Sequence, residues 1–190
     1  TPDDLRWVPN GIWLPQPVPI PPKPVLPPEN ERPVFSHFYI RANTKRTHKV
    51  IEMFDQAFGP LERSTPSETE EQYIGIDAEL RTYHAIPPER VLEIMEQSDV
   101  VFDQMNYYMV YGGVSAEAMA NGRPTLVPID YSLYPDDCPV QMPTPQRLRE
   151  LADDPTLRKR LGQAGREYAL RVHDMNVVAR LTIDTYKRFL

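Results

Sequence analysis

Ser98-Asp-Val-Val-Phe-Asp103, then after a short spacer Tyr111-Gly-Gly-Val-Ser-Ala-Glu-Ala-Met-Ala-Asn-Gly-Arg-Pro-Thr-Leu-Val-Pro-Ile129, is the stretch whose reading decides the fold. Residues 100–103 open with an apolar run that shows no alternation, as in a strand covered on both faces. Gly112 and Gly113 precede a short helix expected over 114–121, and Gly122 stops it. Residues 124–129 then read as another buried strand. Strand, glycine turn, helix and strand in succession imply a parallel sheet with helices packed on it.

The same alternation extends upstream. Residues 34–40 read as a strand. Residues 45–58 read as a helix, with Val50, Ile51, Phe54, Ala57 and Phe58 on one face. Residues 59–71 are polar, carry two prolines and show no periodicity, so they are expected to be a loop. Short strands are expected at 73–76 and 80–86, and a helix starting with Pro88 over 88–98, its apolar face Val91, Leu92 and Met95. Downstream, Asp154 is placed to cap a helix beginning at Pro155, with Leu157, Leu161, Ala164, Tyr168 and Val172 as its buried stripe. Asp174 is placed to cap a last helix over about 174–190, with Lys187 and Arg188 where cations suit the helix dipole. The fold class is therefore α/β: a Rossmann-like three-layer α/β/α domain over 33–190 with a central parallel sheet of about five or six strands.

Residues 1–32 are different. Eleven of the 22 prolines fall between Thr1 and Pro33, most densely from Leu14 to Pro24. Proline fixes φ and lacks an N–H, so this segment is expected to be an extended linker or a strap on the domain surface. Trp7, Ile12, Trp13 and Leu14 are apolar enough to anchor it. A PxxP ligand for an SH3 or WW domain is the alternative, and the spacing is too common to favour it.

Composition bounds the chemistry. The 190 residues suit one domain with a core, and the net charge of -6 argues against a nucleic-acid partner. Cys138 is the only cysteine, and no Cys/His cluster has zinc spacing. No apolar run reaches the length of a membrane span. A cytoplasmic location is expected, with any membrane contact made through a part outside this chain. A start at Thr1 with no leader reads as a fragment, a processed product or a trimmed form.

In an open α/β sheet the ligand lies at the carboxyl ends of the strands. Two strand-to-helix junctions carry suitable residues. At the first, Arg41, Lys45, Arg46, His48 and Lys49 crowd the start of a helix, where the dipole disfavours cations by some tenths of a kcal/mol each. An anion held by Arg41, Lys45 and the helix amides would reverse that cost; a solvated charged helix end is the plain alternative. At the second, Gly112 and Gly113 allow close approach to the backbone, and the helix after them offers free N–H groups to a phosphate. Glu117, about one turn in, is placed to accept bonds from a ribose diol. The alternatives are a tight turn and an exposed helix residue, because no full GxGxxG or P-loop pattern is present.

Other candidates are weaker. His84 follows a strand and either lines the site or is structural. His37 reads as a core histidine, and His173 as a helix-junction residue. Neither Asp136-Asp137 nor Asp153-Asp154 forms a spaced carboxylate pair, and no G-x-S-x-G occurs.

The residues from Ser98 to Asp103 and from Tyr111 to Val127 resemble the donor-site signature of family 4 glycosyltransferases. Asp154 to Gly162, Gly165-Arg-Glu167, Tyr186 and Val8-Pro-Asn-Gly-Ile12 are similar to other segments of that family in the same order. The resemblance implies the C-terminal, donor-binding half of a GT-B fold. It implies a nucleoside-diphosphate sugar as substrate, retaining hexosyl transfer in glycan or polysaccharide biosynthesis, no cofactor and no metal. Arg41 and Lys45 match the diphosphate-binding pair, one residue closer together than usual. Gly112, Gly113 and Val114 match the phosphate loop, Glu117 the ribose-binding glutamate, and His84 the base side. Met109 stands where the family has its first motif glutamate, beside the donor sugar. Catalytic residues are not assigned. The acceptor site is expected in an N-terminal domain absent from this chain, so the isolated chain is expected to be inactive. The alternative is a non-catalytic nucleotide-binding or scaffold module. Nucleotide-sugar epimerases share the architecture and are a third, weaker reading.

Overall fold

The computed structural model describes residues 14–23, 26–106, 110–134 and 137–188. A six-stranded sheet runs in the order β2-β3-β4-β1-β5-β6. Its strands are β1 (Val34–Tyr39), β2 (Glu62–Ser67), β3 (Glu70–Ile74), β4 (Glu79–His84), β5 (Val100–Phe102) and β6 (Thr125–Leu126). The helices are α1 (Ala42–Lys45), α2 (Thr47–Phe58), α3 (Pro88–Gln97), α4 (Gly113–Ala120), α5 (Pro145–Asp153), α6 (Pro155–Val172) and α7 (Met175–Lys187).

Strands β4, β1, β5 and β6 are parallel, as the alternation predicts. The edge is not. Strands β2 and β3 form an antiparallel hairpin added to β4, so the sheet is mixed, and β2 lies within the predicted loop 59–71. All six residues of β2 are exposed. With no buried face there is no alternation to read, and the hairpin is held by its ladder and by side-chain pairs such as Arg63 with Glu71.

The core has two main faces. On one, Val50, Phe54 and Phe58 of α2 and Leu148 and Leu151 of α5 pack on Phe35, Leu80, Val100, Phe102 and Leu126. On the other, Ile94 and Met95 of α3 and Ala118 of α4 cover Phe38, Tyr83 and Val101. A third cluster joins α4 to α6 through Met119, Ala120, Tyr168 and Ala169. Gly162 permits that approach, since a Cβ there would stand 2.1 Å from the Gly122 carbonyl oxygen.

The predicted caps are present at two helices. Asp154 accepts from the Leu157 N–H at 2.9 Å, and Asp174 from the Asn176 N–H at 2.8 Å. Two buried arginines cap helix ends from outside. Arg158 donates to the Leu151 and Ala152 carbonyls at 2.8 Å each, at the end of α5. Arg123 donates to Met95 O at 2.6 Å and Glu96 O at 3.0 Å, at the end of α3. Burial lowers the Arg123 pKa to about 10.

The described part of the Pro-rich segment is extended and contains no helix. Its anchor is Val18, 1 % exposed, whose N–H donates to His173 O at 2.9 Å. Leu14 remains exposed, and Trp7, Ile12 and Trp13 lie outside the described residues.

Candidate active site at the carboxyl ends of the strands

After β1 the chain passes to one side of the sheet, and after α3 it returns to the other side as β5. The crevice at this switch point lies between the segments that follow β1 and β5, where an open sheet binds its ligands. Lys45 follows β1, and Asp103 and the Gly112-Gly113 turn follow β5.

The predicted helix 45–58 is broken at Arg46, which takes a left-handed conformation with φ of 53°. That costs a non-glycine residue about 1 kcal/mol or more. The break ends α1 at Lys45, whose carbonyl accepts from the Met105 N–H at 3.0 Å. Lys45 is thereby turned toward β5, and its Nζ donates to Asp103 Oδ1.

Asp103 is fully buried. Its Oδ2 accepts from the Gly112 N–H at 3.1 Å and from the Ser115 hydroxyl at 2.6 Å. Burial alone would raise its pKa, but the Lys45 charge and these three donors hold the carboxyl below the usual range, so it is ionised. Gly112 supplies no side-chain cap to α4, and the Asp103 carboxylate sits at that positive helix end instead. The amides of Gly113, Val114 and Ser115 occupy the first helical positions, which have no partner within the helix. The side-chain amide of Gln16, on the strap, lies against Gly113, where a Cβ would stand 2.6 Å from it unless that exposed side chain moved.

Beside this turn opens a cleft of about 400 Å³, floored by Phe38 and Tyr83 and walled by Ile86, Val91, Leu92 and Val114. Lys45 and Glu117 are its charged lining groups. Glu117 is half-buried, and its pKa is raised by burial first and by repulsion from Asp103 second. Ala85 also lines the cleft, in a left-handed conformation with φ of 49°. A mostly apolar cleft with few polar groups suits a small ligand with a flat apolar part and a charged end.

The sequence-predicted residues divide as follows. Lys45, Val114 and Glu117 line the cleft; Gly112 lies beside the Lys45 ammonium, and Gly113 faces Gln16 of the strap. Arg41 stands exposed before α1, and its side chain has no partner among the described residues. His84 is exposed on the opposite face of the sheet from Phe38 and Tyr83, its ring 5.4 Å from Tyr39; Tyr39, Tyr83 and Ala85 line the cleft and His84 does not. Met109, Tyr107 and Tyr108 lie outside the described residues. His37 is a buried core residue, with Nδ1 2.8 Å from Phe102 O and Nε2 3.0 Å from Thr47 Oγ1. A carbonyl only accepts, so the proton is on Nδ1. His173 joins strap and turn: it is 2.8 Å from Gln16 O and 2.9 Å from the Tyr111 hydroxyl. Ser115 carries no role in the sequence reading, and Asp103 enters it only as the end of the quoted strand, without a site role. A carboxylate closing an apolar strand is the signal the sequence offers for Asp103.

Among the described residues no group of three or more His, Cys, Asp or Glu is placed to hold a metal ion, and no helix is long and apolar enough to cross a membrane. No known family and no curated protein matches the chain. Among solved structures, sucrose-phosphate synthase from Thermosynechococcus elongatus is similar in fold, with a TM-score of 0.61 at 17% identity over 85% of this chain. The match spans 46% of that protein's chain. At that identity the likeness shows the fold: Rossmann-like α/β, of the kind that forms half of a GT-B protein.

Proposed function

We propose that this chain is the donor-binding half of a glycosyltransferase that takes a hexose from a nucleoside-diphosphate sugar with retention and without a metal. The observation that carries the reading is that Lys45, Val114 and Glu117 line one apolar cleft at the switch point, with Gly112 tied to Lys45 through Asp103. In this reading the base lies on the apolar floor by Phe38 and Tyr83, and Glu117 accepts from the ribose hydroxyls. The diphosphate faces Lys45 and the free amides of α4, with Arg41 swinging in from solvent. As the leaving group it gathers charge, and these donors would stabilise that charge. The acceptor would be held by a domain outside this chain, since transfer requires the acceptor close to the anomeric carbon.

Met109, in place of a glutamate beside the donor sugar, favours a second reading: a nucleotide-binding module without transfer chemistry. Calorimetry with UDP, GDP and ADP tests both. Weak binding of one diphosphate is expected, because half of a two-domain cleft leaves one side of the nucleotide in water. Changing Arg41 and Lys45 together to Ala should weaken it by about 2–4 kcal/mol. No binding to a folded sample defeats the donor-site reading, and turnover by this chain alone defeats the half-enzyme reading.

A further inference from the structure

The two anion-binding elements read separately from the sequence are joined in the structure by one buried carboxylate. Asp103 turns Oδ1 to the Lys45 ammonium and Oδ2 to the Gly112 N–H and the Ser115 hydroxyl. The Lys45 side chain is 19 % exposed while that of Asp103 is fully buried, so the pair shows solvent its cationic end only. A Cβ on Gly112 would stand 3.9 Å from Lys45 Nζ and 3.4 Å from Asp103 Oδ2, so the ammonium lies directly beside the turn.

We infer that Asp103 is the positioning residue of this site: its carboxylate holds Lys45 and the Gly112-to-Ser115 turn as one preorganised unit that receives the diphosphate. The inference rests on the donor-site reading above and deepens it. A lysine on a flexible stem loses side-chain freedom when it grips a ligand. Here the Met105 N–H fixes its backbone carbonyl and Asp103 fixes its head, so most of that loss has occurred before the ligand arrives. The carboxylate also cancels the desolvation cost of a half-buried ammonium waiting for an anion. Because the carboxylate is fully buried behind Lys45, its own repulsion on a ligand is partly offset by the ammonium between them. Ser115, the third residue of α4, donates its hydroxyl to the same carboxylate and so ties the first turn of the helix to Asp103.

The test is a double-mutant cycle on UDP affinity, read by calorimetry on the full chain, with Asp103→Asn and Lys45→Ala singly and together. Asp103→Asn should weaken UDP about tenfold when Lys45 is present and only about threefold when it is absent, because the carboxylate then still holds the turn, the mark of a residue that acts in part through Lys45. Equal losses in both backgrounds would mean a general structural role and overturn the inference while the donor-site reading stands. A gain in affinity would also overturn it, by showing that the carboxylate competes with the ligand. A second measurement needs no ligand and no variant. Acylation of the wild-type chain by acetic anhydride, mapped by mass spectrometry, should modify Lys45 about tenfold or more slowly than the exposed Lys23, since its ammonium is held by a buried carboxylate. Equal rates overturn the inference even if Asp103→Asn fails to fold. Should wild type with a protected Lys45 bind no UDP, the donor-site reading fails, and the same cycle is run with inorganic pyrophosphate. Absence of binding there overturns the positioning role as well.

Discussion

Acidification should destabilise this domain through His37, and the structure gives the size of the effect. The ring is fully buried and neutral. Burial is the main cause that lowers its pKa to about 4; the bond to the Phe102 carbonyl opposes it, and the Lys45 charge adds to it. An unfolded histidine titrates near 6.5. The folded pKa is the lower of the two, so between these values the unfolded chain binds the extra proton and stability falls as pH falls. The contribution is intact above about pH 6.5. About 2 kcal/mol is lost between pH 7.5 and 5, and about 3 kcal/mol once the pH has passed below 4. The assay is urea unfolding at pH 7.5 and pH 5.0 for wild type and His37→Gln. The amide of Gln can still donate to Phe102 O and accept from Thr47, but it does not titrate. Other groups shifted on folding, such as His173 and Glu117, are common to both proteins and cancel in the comparison. The wild type should therefore lose about 2 kcal/mol more than the variant between the two pH values. Equal losses would refute the claim that His37 is buried and neutral in the folded chain.

Gly162→Ala should destabilise by about 1–3 kcal/mol, because the new methyl would meet backbone at Gly122 and α6 would have to move off α4; thermal unfolding measures it. Arg123→Met should cost about 2–4 kcal/mol in denaturant unfolding, since the carbonyls of Met95 and Glu96 would be left without their buried donor. Glu117→Ala should weaken UDP by about 1–3 kcal/mol in calorimetry through the lost ribose contact while leaving the unfolding midpoint nearly unchanged, and an unchanged affinity would remove Glu117 from the ribose site.

The legible parts of the sequence were those whose physics is local or periodic. Uninterrupted apolar residues at 100–102 marked a strand buried on both faces, and the stripe Val50, Phe54, Ala57, Phe58 marked a helix on a core. Asp154 with Pro155, and Asp174, marked helix starts, because a cap is a contact between residues two or three apart. Strand β2 left no such mark: an edge strand exposed throughout has no buried face to impose a pattern, and its turn at Glu68-Thr69 lacks the usual glycine signal. Helix α5 was not read separately, although Thr144 followed by Pro145 is a sequence-level start, with Thr144 accepting from the Arg147 N–H at 3.0 Å.

By itself, then, the sequence determined the α/β alternation, most helix starts, the extended strap and the place of two strand-to-helix junctions. Each depends on propensity, periodicity or the chemistry of neighbours along the chain. Only the tertiary structure decided that Lys45 faces Asp103, 58 residues away, rather than solvent. It alone decided that the left-handed turn at Arg46 aims that lysine, and that Tyr39, Tyr83 and Ala85 line the cleft while His84 does not. It alone made Arg123, within the motif, a cap for α3, and His173 the tie between strap and glycine turn. These depend on strand order, sheet face and packing depth. Such properties arise from long-range burial, in which a charge 58 residues distant can be the nearest partner, and no local pattern encodes which partner that is.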